Sequence, residues 1–244
     1  MISVHGGAAW RIPVPVGVLR YLTALVSISM SLGLSPAADP LSDVYARLDK
    51  LAPNFKGMTA DLKDLVHTAI VNDDTVNSGS MKLKRAKPND TRILLEFTSP
   101  DPKAISVEGV QIKIYLPKAN VIQVYDASTK RGAVDQALRL GFGFSSAELK
   151  ESYDISYVGS EAIAGQTTDH IKLIPKSNEV RQYVQQADLW IGPSGLAVQQ
   201  RFATSASGDY RLATYSNQKL TNSLSDKDLQ VKTHKGVQVT QVGK

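Results

Sequence analysis

The sequence predicts an α+β fold in which an N-terminal helix and a central helical segment cover one side of a large, curved antiparallel sheet. Three observations support this prediction. Apolar residues recur at helical spacing after residue 39, short runs of period-two alternation dominate the rest of the chain, and that alternation lapses over residues 130–152. With 244 residues, of which 42% are hydrophobic and 21% charged, the chain has enough apolar material for a sizeable core.

Residues 1–38 have the composition of a secretory signal peptide. They contain Arg11 and Arg20 but no acidic residue, and the apolar run 21–34 is followed by the small residues of Ser35-Pro-Ala-Ala38. A helix over that run spans about 21 Å, which is short of the roughly 30 Å hydrocarbon core of a bilayer. We expect residues 1–38 to be cleaved and residues 39–244 to form one exported, periplasmic domain. An uncleaved N-terminal anchor is the alternative.

Composition and motif content exclude several kinds of function. The chain has no cysteine, which excludes disulfides, thiolate metal sites and a cysteine nucleophile. Its formal charge of +5 falls to +3 without residues 1–38, so the charge does not favour a nucleic-acid partner. The four histidines are scattered singly, and the sequence has neither a P-loop nor a G-x-S-x-G turn. We therefore expect no enzymatic activity, no cofactor and no metal.

The helical segments have recognisable boundaries. Asp39-Pro40 has the pattern of a capping residue followed by proline at the first helical position, and Pro53 ends the run. The apolar residues between them fall on one helix face: Leu41, Val44, Tyr45, Leu48 and Leu51. Residues 131–140 are predicted to form a short second helix, and Ser145-Ser-Ala-Glu148 has the pattern of a capping box that begins a third.

The strands are predicted in two series on either side of the central helices. Turn-forming residues divide the first series, from Met58 to Leu116, into alternating runs of five to nine residues. The second series is predicted to contain strands at Tyr153–Tyr157, Thr168–Ile174, Tyr183–Ile191, Leu196–Phe202 and Asp209–Tyr215. No linker separates the two series, which indicates a single domain.

One charged residue falls on an apolar strand face. In Ser80-Met-Lys-Leu-Lys-Arg85, the polar set alternates with Met81, Leu83 and Arg85. A guanidinium that points inward costs several kcal/mol unless it is paired or hydrogen-bonded. Arg85 is therefore expected to meet a carboxylate, backbone carbonyls or a polar ligand group. The alternative is that it lies at a strand end and reaches solvent.

Neighbouring strands present similar apolar faces. Ile93, Leu95 and Phe97 share one face of a predicted strand. Ile112 and Ile114 share one face of another predicted strand with Val110 and Leu116. Aliphatic composition alone does not separate a packed core from the wall of a lipid cavity.

The order and spacing of these motifs resemble the periplasmic outer-membrane lipoprotein carrier family, the LolA-like proteins. The resemblance covers nearly all of residues 40–243. It is based on Phe55-Lys-Gly-Met-Thr-Ala60, Gly79-Ser-Met-Lys-Leu-Lys-Arg85, Arg92-Ile-Leu-Leu-Glu96, Val107-Glu-Gly109, Ile114-Tyr-Leu-Pro117, Ile171-Lys-Leu-Ile-Pro175, Leu189-Trp-Ile191 and Gly195-Leu196.

The resemblance implies an unclosed β-barrel lidded by helices, whose hydrophobic interior holds lipoprotein acyl chains. An inner-membrane lipoprotein-releasing ABC transporter would load such a monomeric carrier, and an outer-membrane acceptor would receive the cargo. The resemblance also implies that Arg85 controls the lid. The expected lipid-binding residues are Arg85, Met81, Leu83, Ile93, Leu95, Phe97, Ile112, Ile114, Leu138, Phe142 and Phe144. The cavity is expected to fall in the range of a few hundred to about 1,000 Å³.

Two other functions fit the same residues. A periplasmic lipid-sensing or regulatory module of this fold would bind lipid to change its contact with a signalling partner. A structural envelope protein would fill the same space with a packed core. The presence of an internal cavity separates the structural interpretation from both lipid-binding interpretations.

The signal-peptide assignment predicts the start of the mature protein. Expressed with an export pathway present, the chain should be recovered in soluble form beginning at Ala38 or Asp39. N-terminal sequencing of the recovered protein checks this, and finding Met1 on membrane-bound material would contradict it.

Overall fold

The computed structural model describes residues 39–87, 90–204 and 208–242. The predicted signal peptide, residues 1–38, lies outside these ranges. Within them, twelve strands form one sheet that does not close, with helices packed against its concave face. The predicted α+β half-barrel is confirmed.

The predicted helices and strands occur in the predicted order, and the structure adds a short helix at Asn178–Arg181 and a strand at Gln238–Val242 that were not predicted. The helices are α1 (Pro40–Leu51), α2 (Arg131–Arg139), α3 (Ser146–Ser152) and α4 (Asn178–Arg181). Short 3₁₀ turns occur at Ala52–Asn54, Pro117–Ala119, Ser128–Lys130 and Asp226–Leu229. The strands are β1 (Gly57–Thr68), β2 (Asp73–Lys87), β3 (Asp90–Ser99), β4 (Lys103–Glu108), β5 (Gln111–Leu116), β6 (Val121–Asp126), β7 (Tyr153–Ile163), β8 (Gln166–Pro175), β9 (Gln186–Ile191), β10 (Ala197–Ala203), β11 (Tyr210–Leu220) and β12 (Gln238–Val242).

The sheet joins the two strand series through their outer members. Its strand order is β12-β6-β5-β4-β3-β2-β1-β11-β10-β9-β8-β7, so β1 pairs with β11 although they lie at opposite ends of the domain sequence. All neighbouring strands are antiparallel except β12, which runs parallel to β6. The chain between β6 and β7 contains α2 and α3 and crosses the concave face.

The start of α1 follows the predicted capping pattern. The Asp39 carboxylate accepts a hydrogen bond from the Leu41 backbone N–H at 3.1 Å, and Pro40 occupies the first helical turn. Val44, Leu48 and Leu51 form the buried stripe of the helix. The predicted start of α1 is confirmed, and the helix ends at Leu51, with Pro53 in the 3₁₀ turn that follows.

The main core lies between the concave face of the sheet, α1 and residues 140–149. Its fully buried members come from both strand series and from the helices: Leu48, Phe55, Met58, Met81, Leu83, Leu140, Leu149, Ile171, Leu173, Leu189 and Ile191. Because a fully buried aliphatic side chain contributes about 1.5–3 kcal/mol, this cluster supplies most of the driving force for folding.

The outer face of β3 to β5 carries buried apolar residues beside its polar ones. Leu94 and Tyr115 point away from the main core, yet they are 1% and 4% exposed. The segment after β11 covers this face: Leu229 is fully buried there, and the Asp226 carboxylate pairs with Lys84 and Arg92. This covering segment lies beyond the last predicted strand.

The predicted strand at Tyr183–Ile191 is wrong in its first three residues. The Ser177 hydroxyl accepts a hydrogen bond from the Val180 backbone N–H at 3.4 Å and caps α4, after which the chain makes a turn. Pairing with β10 begins only at Gln186, and pairing with β8 begins at Ala187. The capping preference of serine therefore outweighs the strand propensity of the tyrosine and valine that follow.

The turn between β9 and β10 requires glycine at position 195. Gly195 has a φ of +82°, and a Cβ there would lie 2.7 Å from the Arg47 carbonyl oxygen of α1. Gly165, in the turn between β7 and β8, has a φ of +77° with no atom within 4 Å of the same position.

Replacing these two glycines distinguishes the cost of backbone strain from the cost of a steric clash with α1. Gly165→Ala should lower the free energy of unfolding by about 1 kcal/mol, because alanine is strained at positive φ. Gly195→Ala should lower it by about 3 kcal/mol, since α1 must also shift. Denaturant unfolding measures both, and equal losses would show that α1 yields to the extra methyl group without cost.

Candidate functional site: an apolar cavity under a helical lid

Residues 131–152, here called the lid, cross the concave face of the sheet. They comprise α2, α3 and the lid linker, residues 140–145. The linker is deeply buried: Leu140, Phe142 and Phe144 are each less than 5% exposed. The two phenylalanines therefore act as the apolar underside of the lid.

Backbone hydrogen bonds attach the lid linker to β10. The Ala197 N–H donates to the Gly141 carbonyl at 3.0 Å. The Gln200 side-chain amide donates to the Leu140 carbonyl, and the Tyr215 hydroxyl donates to Gln200 Oε1 at 2.8 Å. Gln200 and Tyr215 are buried, so their polar atoms need these hydrogen-bond partners. The bond from Gln200 also fixes the linker to the sheet.

Arg85 attaches the lid linker from the opposite side of the site. Its Nη1 donates to the Ala52 carbonyl at the end of α1 at 3.0 Å, and its Nη2 donates to the Gly143 carbonyl. Its guanidinium carbon lies 5.6 Å from the centre of the Phe55 ring. Arg85 thus joins β2, the end of α1 and the lid, and backbone carbonyls are one of the three kinds of partner expected for it.

The charge on Arg85 is held in an unfavourable environment. Burial and the positive charge of Arg139 lower the pKa of Arg85, while Glu148 and Asp135 act in the opposite direction. Its Nε is buried and has no hydrogen-bond partner among the described residues. The two carbonyl contacts therefore offset only part of the desolvation cost.

The contact with Arg85 requires a residue without a side chain at position 143, which is Gly143. It has a φ of +80°, and a Cβ there would lie 2.7 Å from both Arg85 Nη2 and the Phe55 ring. The structure shows that Gly143 permits the close approach of the guanidinium to the backbone.

Further contacts hold the lid helices together. Arg139 of α2 pairs with Glu148 of α3, and Glu148 also forms the predicted capping box with Ser145. Asp49 of α1 accepts hydrogen bonds from the backbone N–H and the hydroxyl of Ser146, both at 2.7 Å. These bonds connect the start of α3 to α1.

The attachment of α2 to the sheet is much weaker. Asp135, its one buried residue, accepts a hydrogen bond from the Thr91 N–H of β3 at 2.9 Å. The helix has no side-chain cap at its first turn. Thus the lid consists of a firmly bound linker and a loosely bound α2.

A cavity of about 140 Å³ lies between α2 and the concave face. Its walls are mainly apolar and come from β1, β2, β3, β10, β11 and the lid: Leu62, Met81, Ile93, Leu95, Ala137, Leu138, Phe142, Gln200, Phe202, Arg211, Ala213 and Tyr215. The Phe142 ring meets the Tyr215 ring edge-on at 5.0 Å. The cavity lies where the sequence predicts it, but it is smaller than the predicted few hundred Å³.

A larger hollow of about 570 Å³ lies between α2 and α3, on the outer side of the lid. Arg131, Arg139, Glu148 and Glu151 are among its lining residues. Because its walls are charged, it does not suit an acyl chain, and the smaller cavity is the better candidate for lipid.

The structure brings five of the predicted residues together around the cavity: Met81, Ile93, Leu95, Leu138 and Phe142. The other six do not line it. Leu83, Phe97 and Phe144 are packed in the core, Ile112 packs against that core, Ile114 is half-buried on β5, and Arg85 binds the lid linker. Lipid contact by any of the eleven stays a prediction.

Sequence reasoning missed the wall formed by β10 and β11. Both strands were predicted, but the residues of each that share one face were not identified. Phe202 pairs with Arg211, and Gln200 pairs with Ala213, so all four share the concave face. Strand alternation was the signal that would have found Phe202 and Ala213, whereas the inward glutamine and arginine break the apolar pattern.

The cavity and its lid define the site class: a half-barrel that encloses apolar space between a concave sheet and a helical lid. The open half-barrel with a helical lid that the resemblance implied is present in the chain's own topology. No family model and no curated protein matches the sequence.

Solved structures extend the comparison. An uncharacterised conserved protein from Thermus thermophilus is similar with a TM-score of 0.51 and 12% identity, covering 84% of this chain and 100% of that one. A LolA superfamily protein from Nitrosomonas europaea covers 78% and 97% at a TM-score of 0.40 and 14% identity. A chain of the Pseudomonas aeruginosa MucA/MucB complex covers 78% and 60% at 0.42 and 13%. The likeness to the Thermus protein shows a shared fold alone.

Among the helices in the described ranges, none combines the length and the apolar character needed to cross a membrane.

The Arg85 contacts predict a specific effect on the lid. Arg85→Leu should keep the fold, yet leave the Ala52 and Gly143 carbonyls without their donor, so amide hydrogens of residues 140–145 should exchange about tenfold faster. Arg85→Lys should restore little of the protection, because an ammonium lacks the planar fork of donors.

Arg92→Leu is the matched control, since Arg92 lies on the outer face of the neighbouring strand and pairs with Asp90 and Asp226. Hydrogen-exchange mass spectrometry reports all three variants. Unchanged exchange of the lid linker in Arg85→Leu would show that Ala197 and Gln200 hold it unaided.

Proposed function

We propose that this chain is a periplasmic carrier that sequesters the acyl chains of lipoproteins, or of a related lipid, beneath its lid. The observation that carries the proposal is the apolar cavity between α2 and the concave face. Each methylene transferred from water to such a space contributes about 0.8 kcal/mol. A chain of many methylenes is therefore retained without any covalent chemistry.

The cavity must enlarge to hold such a chain. A hollow of about 150 Å³ with apolar walls accommodates a molecule the size of benzene. We propose that α2 moves away from β3 when an acyl chain enters, because its contacts with the sheet are few. The lid linker would remain bound through Gln200 and Arg85, so the cavity opens on one side only.

The resemblance to LolA-like carriers suggests the direction of transfer. In this proposal, an inner-membrane lipoprotein-releasing ABC transporter loads the carrier, and an outer-membrane acceptor takes the cargo. Export would depend on the predicted signal peptide. Arg85 would control the lid by holding its linker in place while α2 moves, so its contacts with Ala52 and Gly143 would persist with cargo bound.

Copurified lipid tests the proposal most directly. The exported protein should retain lipid with acyl chains after purification, and extraction followed by mass spectrometry should identify it. Delivery of that lipid to acceptor membranes separates a carrier from a lipid sensor. Protein without lipid that also fails to bind added acyl compounds would favour the structural role.

Narrowing the mouth of the cavity should reduce binding. Ala137 lies on α2 and lines the cavity although it is exposed, so Ala137→Trp places a large ring across the opening without disturbing the core. We expect its affinity for a fluorescent acyl probe to fall about tenfold. Ala147→Trp is the control, because Ala147 is an exposed residue of α3 that does not line the cavity. Equal affinity of the two variants would contradict the assignment of this cavity.

A further inference from the structure

We infer that the cavity takes an acyl chain that ends in an anionic group, a carboxylate or a phosphate, and that Arg211 binds this group. The inference deepens the proposed function and depends on it. Arg211 is the charged member of the cavity wall, and its side chain is 41% exposed, so it reaches both the apolar space and solvent.

The strand register places Arg211 at one rim of the cavity. On β1, Leu62 lines the cavity and Val66 pairs with Arg211, four residues nearer to the β1–β2 turn. Phe202 of β10 pairs with Arg211 from the other side and also lines the cavity. An amphiphile would therefore place its chain against Leu62 and its head group at Arg211.

The rim carries more positive than negative charge. The Asp64 carboxylate, 2% exposed, pairs with the Arg211 Nε, and the Asn77 amide lies 3.5 Å from Asp64 Oδ2. Lys103 donates to Asn77 Oδ1 at 3.3 Å. Two cations and one carboxylate leave this group of side chains with a formal charge of +1. An anionic head group would balance it.

The geometry of the arginine leaves donors for a ligand. A guanidinium has five N–H groups, and the contact with Asp64 uses the Nε side. Its terminal nitrogens form the planar fork that matches carboxylate and phosphate oxygens. If Arg211 served only to neutralise Asp64, the charge of Lys103 at the same rim would have no counterpart in this cluster.

Three octyl compounds with different head groups separate the possibilities. Octanoate and octyl phosphate offer the two anionic chemistries, and octanol offers the same chain without charge. Isothermal titration of the purified domain at neutral pH should give at least one anion an affinity about tenfold above that of octanol, the effect of one charge-assisted contact. The tighter of the two anions indicates the source, a fatty acid or a phosphate-bearing lipid.

Variants assign the preference to Arg211. Arg211→Gln should remove the tenfold preference while octanol binding persists. Because that change leaves the buried Asp64 unpaired, the double variant Asp64→Asn with Arg211→Gln provides a neutral rim. It should also lack the preference. Arg201→Gln is the control: Arg201 lies on the outer face of β10, 3.6 Å from Asp188, and should retain it.

Each result has a distinct meaning. Equal binding of octanol and both anions by the unmodified protein would overturn this inference and leave the acyl-carrier proposal standing. A preference that survives in both Arg211 variants would also overturn it. If none of the three compounds binds, the proposed acyl-binding function itself is contradicted, and the inference fails with it.

Discussion

The half-buried guanidinium of Arg85 constrains the arrangement of the site around it. It lies on β2 among apolar residues, so its hydrogen bonds must come from nearby backbone, and the end of α1 and the lid linker supply them. The close approach of the linker requires glycine at position 143. One inward charge therefore fixes the spacing of three separate chain segments, and it ties the position of the lid to the position of α1.

The lid divides into a linker that is firmly bound to the sheet and a helix, α2, that makes fewer contacts with it. Leu140 and Phe142 are buried and the linker backbone is bonded to β10, whereas α2 has a single buried residue and no cap. Regions with few buried apolar contacts open at lower free energy than the core does. The cavity lies beneath the looser part. This distribution of stability allows access to the cavity without unfolding the sheet.

Local sequence patterns predicted the elements well, whereas they predicted the site only in part. Capping at Asp39 and Ser145 depends on neighbouring residues, so both helix starts were found. The pairing of β1 with β11 and the burial of Tyr115 under the last segment depend on contacts far apart in sequence. Periodicity reports which residues share a face but not which part of that face stays unfilled. For this reason Met81 lines the cavity, while Leu83, two residues on and assigned to the same wall, is packed in the core.

The small volume of the cavity follows from the cost of apolar space. Each Å³ of such space inside a protein costs about 24 cal/mol. At that rate a permanent hollow of about 500 Å³ would cost about 12 kcal/mol, comparable with the whole stability of a domain, about 5–15 kcal/mol. The cavity of about 140 Å³ costs about 3 kcal/mol by the same measure. A protein that binds acyl chains reversibly is therefore more stable when the lid side chains fill most of the space, and the chain that enters supplies the contacts they give up. The predicted volume was wrong because neither the resemblance nor strand periodicity reports how far side chains fill the space beneath the lid, and here they leave about 140 Å³.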